Sequence, residues 1–195
     1  MSAARPATAS DRAAVAAMLA RAFHDDPVFA WILPDPKRRA ARLPRLFAIL
    51  FDSDAATGMR LMTPGGEAAT LWRAPGQAKS GWRETLVRGP GLVAALGTAL
   101  PRALAVSGAI EAHFPRGDFW YLHIAGCDPA AQGRGLGGAI VREGLARAAR
   151  RLPCYLETAK ERNLGFYRNM GWEVTDEWRV GTDGPRFWSM LRPAG

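Results

Sequence analysis

Phe119 to Gly138 reads FWYLHIAGCDPAAQGRGLGG, and the order of its parts decides the fold. Phe119 to Cys127 is aromatic, β-branched and nearly all apolar, the composition of a buried strand. Asp128-Pro129 stops that run. Gly133, Gly135, Gly137 and Gly138 then strip the chain of side-chain bulk. Leu136, Ile140, Val141, Leu145 and Ala148 follow at helical spacing, which predicts a helix over 135–151. The first N–H groups of a helix lack internal partners and coincide with the positive end of its dipole. Glycine permits close approach and unusual φ/ψ angles. A strand feeding a glycine loop at a helix start is therefore an anion cradle suited to a pyrophosphate, to which Arg134 can add a charged bond.

Downstream, Pro153 to Thr158 (PCYLET) reads as a second strand and Glu161 to Met170 as a short helix closed by Gly171. Trp172–Val180 and Arg186–Leu191 form a hairpin around Gly181-Thr182-Asp183-Gly184. A strand–helix–strand crossover implies a parallel pair, and the hairpin adds antiparallel strands, so the sheet is mixed. Upstream, Arg5 to Ala9 reads as an edge strand. Ser10 is the expected N-cap of a helix carrying Val15, Met18, Leu19, Ala22 and Phe23, ended by His24-Asp25-Asp26-Pro27. Val28 to Leu33 is a helical turn. Lys37 to Asp52 is an amphipathic helix with Leu43, Leu46, Phe47 and Leu50 on one face. Met59–Met62 and Glu67–Trp72 are strands joined by Pro64-Gly65-Gly66. Ser80 to Phe114 returns to helical patterning, with breaks at Gly89-Pro90-Gly91 and Pro101.

Two dinucleotide motifs fit the glycine loop poorly. Gly133, Gly135 and Gly138 satisfy G-x-G-x-x-G, and Glu157 lies about 20 residues on, where a ribose-binding acid would sit. Asp128 to Gln132, however, separate the strand from the first glycine, and too little chain follows for repeated strand–helix units. No Lys-Ser/Thr follows Gly138, so a Walker loop fails. The spacing Gln132-x-x-Gly135-x-Gly137 fits better, and the segment resembles the acyl-CoA-binding motif of the GNAT superfamily of N-acetyltransferases. Asn163-Leu164-Gly165-Phe166-Tyr167-Arg168-Asn169-Met170-Gly171-Trp172 is similar to that family's N-x-x-x-Y-x-x-x-G-F/W signature. The specific resemblance covers about Phe119 to Val180. The helical segment at about 80–115 departs from the smallest members, and the chain resembles a bacterial branch of small-molecule or uncharacterised acetyltransferases.

The resemblance implies an α/β fold in one domain over 1–195. Its sheet is mixed and mostly antiparallel, with a central parallel strand pair that splays apart, flanked by helices. It also implies acetyl-CoA as co-substrate and no metal. The pantetheine arm would pair with Ile124, Ala125, Gly126 and Cys127, a form of strand addition. Gly126 would let the arm approach; a bulge in a buried strand is the alternative. Cys127 reads as a packing residue, since no Cys/His/Asn set supports covalent catalysis. Gln132, Gly133, Arg134, Gly135, Leu136, Gly137, Gly138 and Asn163 would hold the coenzyme's phosphates and arm.

The implied reaction is direct attack of an amine on the thioester. Tyr167 resembles the family's general acid, although its position also suits a core aromatic. A phenol titrates near 10 and a thiol near about 8.5, so downhill transfer needs a depressed phenol or a more basic sulfur. A strand N–H such as that of Ile124 would hold the oxyanion. Glu157 is the first candidate base, with His123 and His113 as alternatives. Strict alternation puts Tyr121, His123 and Ala125 on one face of the strand. His24, Asp25, Asp26, Phe29 and Trp31 sit at the helix junction that lines the acceptor cleft in relatives. Asp26, Phe29 and Trp31 are the substrate candidates, by acid and aromatic attraction for a cation; a solvated helix end is the other reading.

Composition narrows the class. Of 26 basic residues all but Lys37, Lys79 and Lys160 are Arg, and the formal charge is +8. Such an excess suits an anionic ligand, yet the Arg residues are dispersed and no nucleic-acid reader motif is present, so nucleic acid is not an expected partner. Cys127 and Cys154 form no disulfide framework. The N-terminus has no apolar signal region, and Gly89 to Pro101 is too short for a bilayer, which takes about 20 residues. A cytoplasmic protein without membrane contact is expected, and a homodimer is left open. The expected function is transfer of an acetyl group from acetyl-CoA to a primary amine of a small molecule. A non-catalytic acyl-CoA sensor or scaffold is the alternative.

Overall fold

The computed structural model describes residues 4–79, 82–148 and 151–195. The helical start expected at Ser80 and residues 149–150 of the expected 135–151 helix lie outside them. In chain order the elements are β1 (Arg5–Pro6), α1 (Arg12–Ala22), α2 (Pro27–Ile32), α3 (Pro36–Thr57), β2 (Gly58–Met62), β3 (Ala68–Arg73), α4 (Trp82–Leu96), α5 (Leu100–Ala112), β4 (Trp120–Cys127), α6 (Leu136–Arg147), β5 (Cys154–Thr158), α7 (Asn163–Arg168), β6 (Glu173–Arg179) and β7 (Arg186–Arg192).

One seven-stranded sheet runs β1-β2-β3-β4-β5-β7-β6. Every neighbouring pair is antiparallel except β4 and β5. The parallel pair holds together only at Trp120–Cys154 and Tyr121–Tyr155. Beyond those residues β5 stays paired with β7 and parts from β4, so the wedge expected from the resemblance is present.

Helix α1 packs against α3 and β4 on one face of the sheet. Helix α6 crosses the other face, over β3 and β4. The larger core joins Leu19, Phe47, Phe51, Leu71 and Ile124; a second joins Trp72, Leu122, Val141, Tyr167 and Trp172. A Cβ at Gly144 of α6 would stand 2.5 Å from the indole ring of the fully buried Trp72. A rigid ring cannot yield as a flexible chain end can. Gly144→Ala is expected to destabilise the fold by about 2–3 kcal/mol, read as a lowered thermal midpoint.

Several boundaries differ from the sequence reading for identifiable reasons. Thr8, not Ser10, opens the first helical turn: the Asp11 carboxylate accepts from the Thr8 N–H at 2.8 Å and holds Arg5 in an ion pair. Helix α3 continues past Asp52 to Thr57, because Ser53 and Asp54 turn inward to bind Arg73. Helix α6 stops at Arg147, where Ala148 adopts an extended ψ of 136° and is buried.

Strict alternation in β4 also fails. Leu71 faces Ile124 while Trp72 faces Leu122, so His123 is an extra residue, a β-bulge. The bulge turns His123 to Asp54 on α3 and Ile124 into the α1–α3 core, while Ala125 joins Leu122 on the opposite face. Gly126 therefore faces α1. A Cβ there would meet Leu19 at 2.5 Å and Phe23 at 3.2 Å, so packing against α1 requires its small size.

The stretch Arg88–Ala112 has 25 residues and is, by length and composition alone, apolar enough to cross a membrane. A 3-10 turn at Gly97–Ala99 divides it, and Leu96, Ala99 and Val106 are buried in the core.

Candidate active site

Strand β4 ends at Cys127 and hands the chain to the glycine loop. The Asp128 carboxylate accepts from the Ala130 N–H at 3.1 Å and pairs with Arg21 at 2.6 Å, which fixes the turn after the strand. Gly133 and Gly135 have φ of +78° and +75°, where a side chain is strained, and Gly135 is the N-cap of α6. The Gln132 amide folds back and donates to the Cys127 carbonyl at 3.3 Å. Among the described residues, the main-chain N–H groups of 133–138 donate to no other protein group. They line a cleft of about 420 Å³ together with Ala125, Gly126, Cys127, Asn163 and Tyr167. A Cβ on Gly137 would have only Phe166, at 3.9 Å, within 4 Å, so main chain is exposed to the cleft there. Phosphate-sized acceptors would fit these amides. No cluster of three or more metal-type ligands occurs among the described residues.

A second chamber of about 310 Å³ lies under α4 and α5. Phe23, Asp26, Ala125, Asn163 and Tyr167 line both spaces, so the two meet at α7 and the end of α1. Tyr167 is buried, packs edge-on to Trp172, and its hydroxyl bonds to no protein group among the described residues. Burial, and then the nearby Glu157 and Asp26, push its phenol well above 10.

Glu157 lies on β5 where it leaves β4. Tyr121 donates to its Oε1 at 2.5 Å, while Oε2 is buried with no hydrogen-bond partner. Burial raises its carboxyl from 4.5 to about 8. A buried, half-satisfied carboxyl is costly unless something completes it. His123 also lines the chamber. Its Nδ1 lies 2.7 Å from Oδ2 of the fully buried Asp54, whose Oδ1 accepts from Arg73 at 2.7 Å. An ionised Asp54 accepts, so Nδ1 of the neutral ring donates to it and Nε2 is the ring's acceptor.

The remaining candidates separate. Asp26 caps α2, accepting from the Val28 N–H at 3.0 Å, and lies 3.4 Å from Lys160; burial is the main cause raising its carboxyl. Phe29 lines the chamber and packs on Phe23 and Phe47. Trp31 does not reach it: Arg102 covers its ring and donates to its carbonyl. Ile124 lines the chamber rather than the glycine cleft, and Arg134 is exposed outside the cleft lining. Asn163 donates to Thr158 Oγ1 at 3.2 Å, which places it at the mouth of the wedge. His113 stacks on Trp178 and donates towards Ala109, away from both spaces. Cys127 lines the cleft with its thiol raised by burial, which makes it a poorer nucleophile. The sequence did not mark out Asp54, which stands beside Asp52 and Ser53 in what reads as a polar helix end.

Comparison with known proteins agrees with this geometry. A model of the acetyltransferase (GNAT) family matches residues 82–172, which include the glycine loop and Tyr167. A solved structure of a histone acetyltransferase HPA2 and related acetyltransferase from Corynebacterium glutamicum is 27% identical, with a TM-score of 0.77 over 100% of this chain and 98% of that one. A GNAT family acetyltransferase from Brucella melitensis, solved with acetyl-CoA, is 18% identical with a TM-score of 0.52, over 100% and 89% of the two chains. A polyamine N-acetyltransferase from Drosophila melanogaster is 15% identical with a TM-score of 0.59, over 97% and 98%. The last two show the fold alone. Over residues 82–172 the chain matches the GNAT acetyltransferase family, and over its whole length it is similar to the Corynebacterium acetyltransferase.

Proposed function

We propose that the protein transfers an acetyl group from acetyl-CoA to the primary amine of a small molecule by direct attack. The observation that carries this reading is the meeting of two spaces at Tyr167: one lined by uncommitted main-chain amides, the other carrying a carboxyl with a partnerless oxygen. In this reading the amides of Gly133, Gly135, Gly137 and Gly138 bind the diphosphate, and the open edge of β4 at Ala125–Cys127 pairs with the pantetheine arm. Asn163 orients the arm at the wedge mouth. Acetyl-CoA supplies an activated acyl carbon and a thiolate leaving group.

Glu157, when ionised, takes a proton from the incoming ammonium; the amine nitrogen then bonds to the acyl carbon, the carbon–sulfur bond breaks, and the second proton that the nitrogen sheds replaces the one Tyr167 gives to sulfur. Tyr167, protonated throughout the neutral range, donates to the departing sulfur. Its raised phenol does not meet the depressed-acid condition, so donation to sulfur must be timed to the charge that develops in the transition state. His123, oriented by Asp54, offers Nε2 as a relay for the proton that Glu157 accepts. A strand N–H beside Ile124 stabilises the oxyanion.

Tyr167→Phe tests the reading. Turnover is expected to fall about 100-fold while affinity for acetyl-CoA holds within about twofold, because general-acid help contributes roughly that much. Equal loss of both would make Tyr167 a packing residue. Absence of turnover from every amine, with coenzyme still bound, would favour a sensor.

A further inference from the structure

We propose that the acceptor is a monocationic primary amine on an apolar body, an alkyl or aryl-alkyl amine, seated in the chamber under α4 and α5. This rests on the transferase reading above and narrows its substrate class.

The chamber walls come from four helices. Phe29, Leu50, Leu92, Leu100, Ala103 and Ile110 pack against the core yet are only partly buried, and each lines the chamber. Core residues of this kind normally bury themselves in one another. Here they surround about 310 Å³ instead, enough for the body of a small amine. A ligand that covers this surface gains from its removal from water.

Charge selects the other end of the ligand. Although the chain has a formal charge of +8, the chamber lining carries three carboxyl groups, Asp26, Glu111 and Glu157. Among the described residues its only Lys or Arg is Arg73, which is already bound to Asp54 at 2.7 Å. Glu157, whose Oε2 has no hydrogen-bond partner among the described residues, lines the chamber, which meets the cleft of the glycine loop at Ala125, Asn163 and Tyr167. An amine placed there has one hydrogen-bond acceptor waiting and one apolar space behind it. Asp26 already pairs with Lys160 at 3.4 Å, so a second cationic end, as in a polyamine, would have Glu111 alone among the described carboxyls to answer it. A long acyl chain would fill the apolar space but leave the carboxyl unanswered.

The test is a thiol-release assay with acetyl-CoA and methylamine, hexylamine, 2-phenylethylamine, spermidine and a lysine tripeptide. Hexylamine and 2-phenylethylamine are expected to exceed methylamine and spermidine by about tenfold or more in kcat/KM, the scale on which an apolar pocket reads methylene groups. Ala103→Trp, which fills the chamber, should raise KM for hexylamine about tenfold and leave KM for acetyl-CoA within about twofold. Ser107→Phe, on the exposed flank of α5, serves the same purpose should Ala103→Trp fold poorly. Preference for spermidine or the peptide, equal rates with methylamine, or a hexanoyl-CoA rate above the acetyl-CoA rate would overturn the inference and leave the transferase reading standing. Failure to bind acetyl-CoA and to turn over any amine would overturn both.

Discussion

Glu157→Gln is expected to lower kcat by about 10²–10⁴-fold, the contribution of a positioned general base, while acetyl-CoA still binds. Gln can still accept from Tyr121 through its amide oxygen, so the wall of the chamber is kept. The pH dependence distinguishes a base from a packing residue. Burial lifts the carboxyl from 4.5 to about 8, and only the ionised form can take a proton. The wild-type to variant rate ratio therefore climbs as pH rises to about 8 and is flat above it; the ratio cancels the amine's own titration. Stability moves the other way. The folded carboxyl binds its proton more tightly than the unfolded one, so its favourable contribution is complete below 4.5 and is lost as pH rises through about 8. Glu157→Gln is thus expected to raise the thermal midpoint more at pH 9 than at pH 5. A constant rate ratio from pH 6 to 9 would remove Glu157 from the chemistry.

Gly137→Asp is expected to weaken coenzyme A binding about 100-fold, since like-charge juxtaposition in a recognition site costs several kcal/mol. Folding should survive. A Cβ there meets nothing closer than Phe166 at 3.9 Å, and an acidic residue in the first turn of α6 suits the helix dipole. Calorimetric titration with coenzyme A and a melting curve separate the two effects. Unchanged affinity would mean that the diphosphate lies elsewhere.

How far the sequence could be read depended on how local the signal was. The glycine loop, its helix and the signature around Tyr167 are short-range features with few physical interpretations, and the strand–helix–strand order was legible through them. The wedge followed from the resemblance. The bulge at His123 was not legible, because it exists only in the register of β3 against β4. That one extra residue reversed the expected placement of Ala125 and Gly126. Likewise Asp52-Ser53-Asp54 reads as a polar helix end, yet Asp54 is wholly buried against Arg73, a residue of a different element. Trp31 looked like a cleft aromatic, but Arg102, far along the chain, holds it outside. The acceptor chamber was the least readable part. Its walls come from α2, α3, α4 and α5, and in sequence each leucine is indistinguishable from core.

The central claim is that main-chain amides of the loop before α6 receive the coenzyme's diphosphate. Amide NMR of the uniformly ¹⁵N-labelled protein, titrated with coenzyme A, tests it most directly. Large shifts confined to Gly133, Gly135, Gly137, Gly138 and the open edge of β4 are expected, with those of Gly133, Gly135 and Gly138 appearing in Gly137→Asp only at about 100-fold higher coenzyme. Saturable binding with those glycine resonances unmoved would contradict it.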